Sequence, residues 1–137
     1  MSTLIEELKK KGNFYCEKGA SIEMIKKAEE VLNLRFADDY KEYLQQFGSV
    51  SCGGHELTGV SEDPELDVVK VTIKNLEKNK KVSIPLYVVE ETHMDGRVIW
   101  QSETGEIFKT EYKEAPEKIF GSLTEYVSTF GDSGVDD

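Results

Sequence analysis

The chain has 137 residues, of which 38% are hydrophobic and 32% charged, and a formal net charge of −10. That length fits one compact domain, at roughly 100–150 residues per domain, which can bury a core without help from a metal or a disulfide. No apolar run approaches the ~20 residues that cross a bilayer, which excludes an integral membrane protein.

The start, Met1-Ser2-Thr3-Leu4-Ile5-Glu6-Glu7, has no basic region followed by an apolar stretch, so no secretory signal is expected. Two cysteines, Cys16 and Cys52, are too few for a disulfide framework, and both are expected as reduced thiols in a cytoplasm. The charge is unevenly placed. Residues 1–34 are neutral, 35–69 carry −6, 70–81 carry +4 and 82–137 carry −8. Such a balance disfavours nucleic-acid and anionic-membrane binding and favours cationic partners. Moderate acidity also keeps proteins soluble, which is its commoner role.

Taken in chain order, Leu4, Ile5 and Leu8 share one face of a short first helix, stopped at Gly12-Asn13. Ser21 caps a second helix with Ile25, Ala28 and Leu32 on one face, and Asn33 suits the left-handed residue that ends it. Asp38-Asp39 offers a cap for a third helix carrying Tyr40, Tyr43, Leu44 and Phe47 at helical spacing, closed by Gly48. That aromatic stripe reads as core. Ser49 to Gly54 is small and glycine-rich, and Leu57 to Val60 is a short strand candidate. Asp63-Pro64 reads as a cap and first helical position. Leu66 to Asn79 is ambiguous: Val68, Val69, Val71, Thr72 and Ile73 favour a strand, whereas Leu66, Val69, Ile73 and Leu76 fit a helix. Length and the cap decide for helix.

The second half reads as sheet. Leu86 to Glu90 is a buried-type strand after Pro85, Asp95-Gly96 is a strong hairpin turn, and Arg97 to Gln101 is the return strand. Glu103-Thr104-Gly105 turns into a third strand, Ile107 to Tyr112. Connections this short make an antiparallel meander. Ser122-Leu123-Thr124-Glu125 is a capping box opening a last helix with Leu123, Tyr126, Val127 and Phe130 on its apolar face. The expected class is α+β: a central antiparallel meander with helices at both ends packed against it. Residues 1–131 form the single expected domain, and 132–137 a flexible acidic tail.

Catalytic chemistry has few candidates. Cys52-Gly53-Gly54-His55 places a thiol and an imidazole at a spacing that supplies two zinc ligands. A structural zinc needs four, and Cys16 and His93 are not paired, so no metal is expected. A glycine-rich loop does not hold Cys52 against His55 as a nucleophile pair either. Glu91, His93 and Asp95 would share one side of a strand, where they can bind a cation or do acid–base work, but a charged hairpin edge is the ordinary reading. Gly53-Gly54 lacks the Lys-Ser/Thr of a phosphate loop. Lys70, Lys74 and Lys78 make a basic helix stripe, normally a solvated face. Trp100, the sole tryptophan, is expected in the core, or as an interface anchor if it faces outward.

The run Leu32 to Leu44, followed by Phe47-Gly48, resembles the N-terminal signature of the SUKH superfamily, the Smi/Knr-like proteins. The resemblance continues through Gly59-Val60, Asp67-Val68-Val69 with Thr72, Asp95-Gly96, Gly105-Glu106-Ile107-Phe108 and the terminal Ser122 to Val127 helix. It spans about residues 1–131. Ala37 stands where that pattern usually has proline, and Gly48-Ser49 replaces a more typical Asn-Gly-Gly. The resemblance implies an α+β fold with a meander sheet. It also implies a non-enzymatic function: bacterial members are immunity proteins that bind and block a cognate toxin, often a nuclease, in the cytoplasm. The partner would be a toxin with a basic C-terminal domain, with no cofactor, nucleic acid or membrane. The alternative is a regulatory or scaffolding domain like the eukaryotic cell-wall-assembly regulators. A small enzyme or metal-binding protein is the third reading.

For the first reading, the acidic segments supply the expected contacts: Glu56, Glu62, Asp63, Glu65, Asp67, Glu90, Glu91 and Asp95, with His55 and Tyr87 as aromatic contacts.

Overall fold

The computed structural model describes residues 3–131; the expected acidic tail, 132–137, lies outside them. The fold is α+β, with five helices and two antiparallel sheets among the described residues. Helix α1 (Thr3–Lys9) buries Leu4 and Leu8. Strand β1 (Tyr15–Lys18) was not anticipated, because its Tyr-Cys-Glu-Lys sequence carries no apolar alternation. Helix α2 (Ile22–Leu32) starts where Ser21 accepts the Met24 N–H at 3.2 Å, and ends at Asn33 with φ 55°.

Helix α3 (Asp38–Gln46) departs from expectation at both ends. Its cap is Ala37, which makes no side-chain bond, and Asp38 and Asp39 occupy the first turn, where their charge favours the helix dipole. Asp39 is committed elsewhere: its carboxylate accepts the Gln101 Nε2–H at 3.0 Å and the Leu123 N–H at 3.3 Å. At the other end the chain passes directly into strand β2 (Phe47–Cys52) at Phe47, so Gly48 lies in a strand and closes nothing. The small, glycine-rich run Ser49 to Gly54 is thus mostly sheet. Strand β3 (His55–Leu57) follows a two-residue turn, Gly53-Gly54, with φ 54° and 82°. The strand expected over Leu57 to Val60 is therefore displaced upstream. Gly59 instead forms an isolated parallel bridge with Asp67.

Helix α4 (Val68–Lys78) confirms the helical reading of the ambiguous valine-rich segment. Its cap is Asp67, which accepts the Lys70 N–H at 3.2 Å, and not Asp63. Asp63 folds its own turn by accepting the Glu65 N–H at 2.9 Å. The second sheet is the expected meander: β4 (Leu86–Glu91), β5 (Arg97–Ser102) and β6 (Ile107–Glu111), extended by an unanticipated edge strand β7 (Glu117–Phe120). Asp95 and Gly96 both take positive φ, and Arg97 N–H closes the turn on Met94 O at 2.9 Å. Helix α5 (Leu123–Val127) has its Ser122 cap on the Glu125 N–H at 3.1 Å. The Glu125 carboxylate returns to the Gly121 N–H, one residue before the usual partner of a capping box.

The four-stranded sheet carries apolar side chains on both faces, and α4 covers the second face at β4. One face joins the main core, where Phe36, Tyr40, Tyr43 and Tyr87 pack ring to ring at centroid distances of 4.8–5.3 Å. The other carries a second cluster of Val71, Leu86, Val88 and Trp100 beneath α4. This explains why Leu86 to Val89 is unbroken apolar sequence. The buried phenols are satisfied. Tyr43 donates to Thr58 O at 2.6 Å, Tyr40 bonds Thr58 Oγ1 at 2.9 Å, and Tyr87 donates to Gln101 Oε1 at 2.6 Å. Tyr87 also accepts the Ala37 N–H at 2.9 Å, which replaces the missing helix cap by tying that end of α3 to the sheet.

Gly59 sits hard against the first sheet: a Cβ there would overlap the Gly48 carbonyl oxygen. Gly59→Ala is expected to cost at least ~3 kcal/mol in a urea unfolding curve, because backbone must move. Gly54 faces open space, so Gly54→Ala should cost only about 1–2 kcal/mol, through its left-handed backbone alone.

Candidate functional site

The site is built around a bulge in β4. Val88 pairs with Trp100, but Glu90 pairs with Ile99, so β4 carries one extra residue. A one-residue slip flips every later side chain to the other face of a sheet. Beyond the bulge, Glu90 therefore turns into the main core beside Ile99, and Glu91 turns toward α4.

Glu90 is only 4% exposed. Its carboxylate accepts the Tyr126 hydroxyl, and both of its oxygens lie 3.0 Å from His55 Nδ1. The His55 ring stacks on Phe130 with centroids 3.7 Å apart and planes 6° off parallel. Burial, then the adjacent Glu90 charge, pushes the Tyr126 phenol far above its ordinary value, so it remains a donor at any physiological pH. The acid thus latches the β2–β3 hairpin to α5. Its contact with a partner, expected from the sequence, gives way to this internal role. Tyr87 is likewise fully buried and presents no ring to a partner.

Glu91 is half-buried and bonded to α4: Lys74 Nζ lies 3.0 Å away and Asn75 Nδ2–H donates at 2.7 Å. Asp67 is occupied as the α4 cap. Glu56, Glu62, Asp63, Glu65 and Asp95 are exposed, and no ion pair engages them among the described residues.

The structure brings Glu56, Asp63, Glu65, Glu91 and His93 around one small hollow of about 100 Å³, which no lysine or arginine lines. The hollow lies where β3, the turn before α4 and the end of β4 meet. Glu62 and Asp95 do not line it. A second, larger groove of about 630 Å³ shares Glu91 and His93 and runs between α4 and the outer face of β5 and β6. Asn75, Thr110, Tyr112 and Lys113 line this groove and were not singled out from the sequence. The Lys74 and Lys78 spacing and the position of Trp100 were the only signals of it.

The chemical candidates are tied up. Cys52 is buried, which pushes its thiol up to about 11, and that leaves almost no thiolate at neutral pH. His55 and Cys52 face each other across the hairpin, but the His55 Nδ1 is engaged by Glu90. Among the described residues, no three His, Cys, Asp or Glu side chains are grouped to hold a metal.

The meander, the aromatic helix α3 and the terminal helix latched to the sheet make up one α+β arrangement. A family model described as SMI1-KNR4 cell-wall (SUKH_5) matches residues 1–130, and the chain belongs to that family. No curated protein matches it. No helix among the described residues is long and apolar enough to cross a membrane.

Glu90→Ala is expected to cost roughly 2–4 kcal/mol in chemical denaturation, because the Tyr126 hydroxyl and the His55 ring lose a buried acceptor. Glu56→Ala, on the surface, should stay within about 0.5 kcal/mol. Cys52, buried and held as a thiol, should resist alkylation by iodoacetamide in the folded protein, while half-exposed Cys16 reacts. Mass mapping of the modified peptides reads this directly. Raising the pH toward 11 should increase Cys52 labelling, since its reactive thiolate appears only there.

Proposed function

We propose that the protein is an immunity protein that neutralises a cognate bacterial nuclease toxin by stoichiometric binding in the cytoplasm. The observation that carries this is the hollow formed by Glu56, Asp63 and Glu65, none of them in an ion pair among the described residues, on a body of net charge −10. A nuclease must present a cationic surface to hold phosphates. An acidic face complements that surface, speeds the encounter and denies it to nucleic acid. The contacts are Glu56, Asp63 and Glu65, with Glu62 and Asp95 adding to the field around them. Affinity comes from a few desolvated anchors at the centre of the interface.

Binding without turnover also fits the chemistry. The buried Cys52 thiol is protonated at neutral pH, and the Glu90 carboxylate is spent on Tyr126 and His55.

The test is to sequence the neighbouring reading frames and, where one ends in a short basic domain, to titrate that domain with this protein. Stoichiometric loss of toxin activity is expected; undiminished activity at excess protein would sink the reading for that toxin. Reversing Glu56, Asp63 and Glu65 to lysine should slow association roughly tenfold or more at low ionic strength. The difference should shrink in 1 M salt, where the screening length falls to about 3 Å. Stopped-flow association across a salt series measures both, and an unchanged melting curve shows that the fold is intact.

A further inference from the structure

We propose that the groove between α4 and the β5–β6 face binds a small organic anion with an apolar, ring-sized body, of the class of aromatic carboxylates and sulfonates. This site is independent of the acidic face, and its occupancy does not depend on the toxin-blocking reading.

At about 630 Å³ the groove falls within the range of small-molecule sites, roughly 300–1,000 Å³. Its floor is apolar, formed by half-buried Val98 with Trp100 fully buried beneath it, and Tyr112 stands at one side. A buried hydroxyl faces it with its donor unspent, beside the buried Asn75 amide, whose Nδ2 donates to Val71 O and to Glu91. Thr110 is only 2% exposed, and its hydroxyl accepts the Trp100 indole N–H at 2.9 Å. The hydroxyl's own proton has no acceptor among the described residues. A buried donor of this kind is satisfied by a ligand oxygen.

Charge selects the sign of that ligand. Of the cations at the groove, Arg97 is taken by Glu111 at 2.7 Å and Lys74 by Glu91 at 3.0 Å. Lys78 and Lys113, on opposite walls, make no ion pair among the described residues. Glu91, the acid nearest the acidic hollow, is neutralised by Lys74 and also bonded by Asn75. Glu77 is the one lining carboxylate left without an ion pair among the described residues. The unpaired lining charge is therefore positive on a protein whose body is strongly negative. An anion in the groove accepts the Thr110 O–H at its inner end and meets the two lysines at its rim. Its ring rests on Val98, directly above the buried Trp100.

Trp100 is the only tryptophan in the chain, so its fluorescence reports the floor of the groove. The full chain is titrated with anilinonaphthalene sulfonate and, separately, with phenylnaphthylamine, which has the same rings without the sulfonate. The sulfonate is expected to quench Trp100 saturably at one molecule per chain. The uncharged amine should bind at least about tenfold more weakly, as loss of charge-assisted hydrogen bonds predicts. A double variant, Lys78→Gln with Lys113→Gln, alters only exposed side chains; it should weaken the sulfonate by about tenfold and leave the amine unchanged. Thr110→Val should weaken the sulfonate, and Thr110→Ser should retain it. Absence of saturable quenching, equal affinity for the two dyes, or sulfonate binding unmoved by the lysine pair would overturn the proposal.

Discussion

The extra residue in β4 is the constraint on which the site depends. A strand covered on both faces has no solvent side, so an acid pair at its end must find partners on both. The bulge provides them. It turns Glu90 into the main core, where Tyr126 and His55 receive it, and sends Glu91 to Lys74 and Asn75 on α4. Without the slip the two carboxylates would exchange faces and meet neither set of partners. The pair therefore acts as a staple: Glu90 binds α5 and the β2–β3 hairpin to the sheet, and Glu91 binds α4 to it.

A second polar chain performs the same service at the other end of β4. The Ala37 N–H, the Tyr87 hydroxyl, Gln101 and the Asp39 carboxylate connect α3 to the sheet and to the start of α5. Asp39 remains partly buried in this role, and burial raises its carboxyl above the ordinary range despite the bonds it accepts. The cost of that half-buried acid is offset by the bonds it accepts from the Gln101 amide and the Leu123 N–H. Sheet and helices are thus joined by directional bonds as well as by the tyrosine cluster, which gives the exposed acids a rigid platform.

Much of this was legible in the sequence, and the failures have definite causes. The caps at Ser21 and Ser122, the left-handed Asn33 and the Asp95-Gly96 turn are local chemistry, and local chemistry is visible in one chain. The helix over Val68–Lys78 prevailed over its β-branched composition because Asp67 caps it and its apolar spacing fits α4 on the sheet. Strands β1 and β7 were not legible: each is four residues long and held by pairing with a neighbour, not by its own pattern. The site was read from charge and two aromatic rings, and residue type does not disclose burial. Glu56, Asp63 and Glu65 are where an acidic surface should have them. Glu90 and Tyr87 are interior because of a bulge and an aromatic cluster, and both depend on residues far along the chain.

The same distinction separates the charges that can meet a partner from those that cannot. Glu90, Glu91, Asp67 and Asp39 complete the fold, and their hydrogen bonds leave little of their field for the surroundings. The acids at the turn before α4 have only local backbone bonds, as where Asp63 accepts the Glu65 N–H, or none. Their charge is spent on solvent and is available to a cation that replaces it. Glu91 and His93 stand at the junction of the acidic hollow and the basic-rimmed groove. The Lys74–Glu91 pair is consequently the boundary between two surfaces of opposite preference. It neutralises the one carboxylate that both share, so each hollow keeps its own sign within a few side chains of the other.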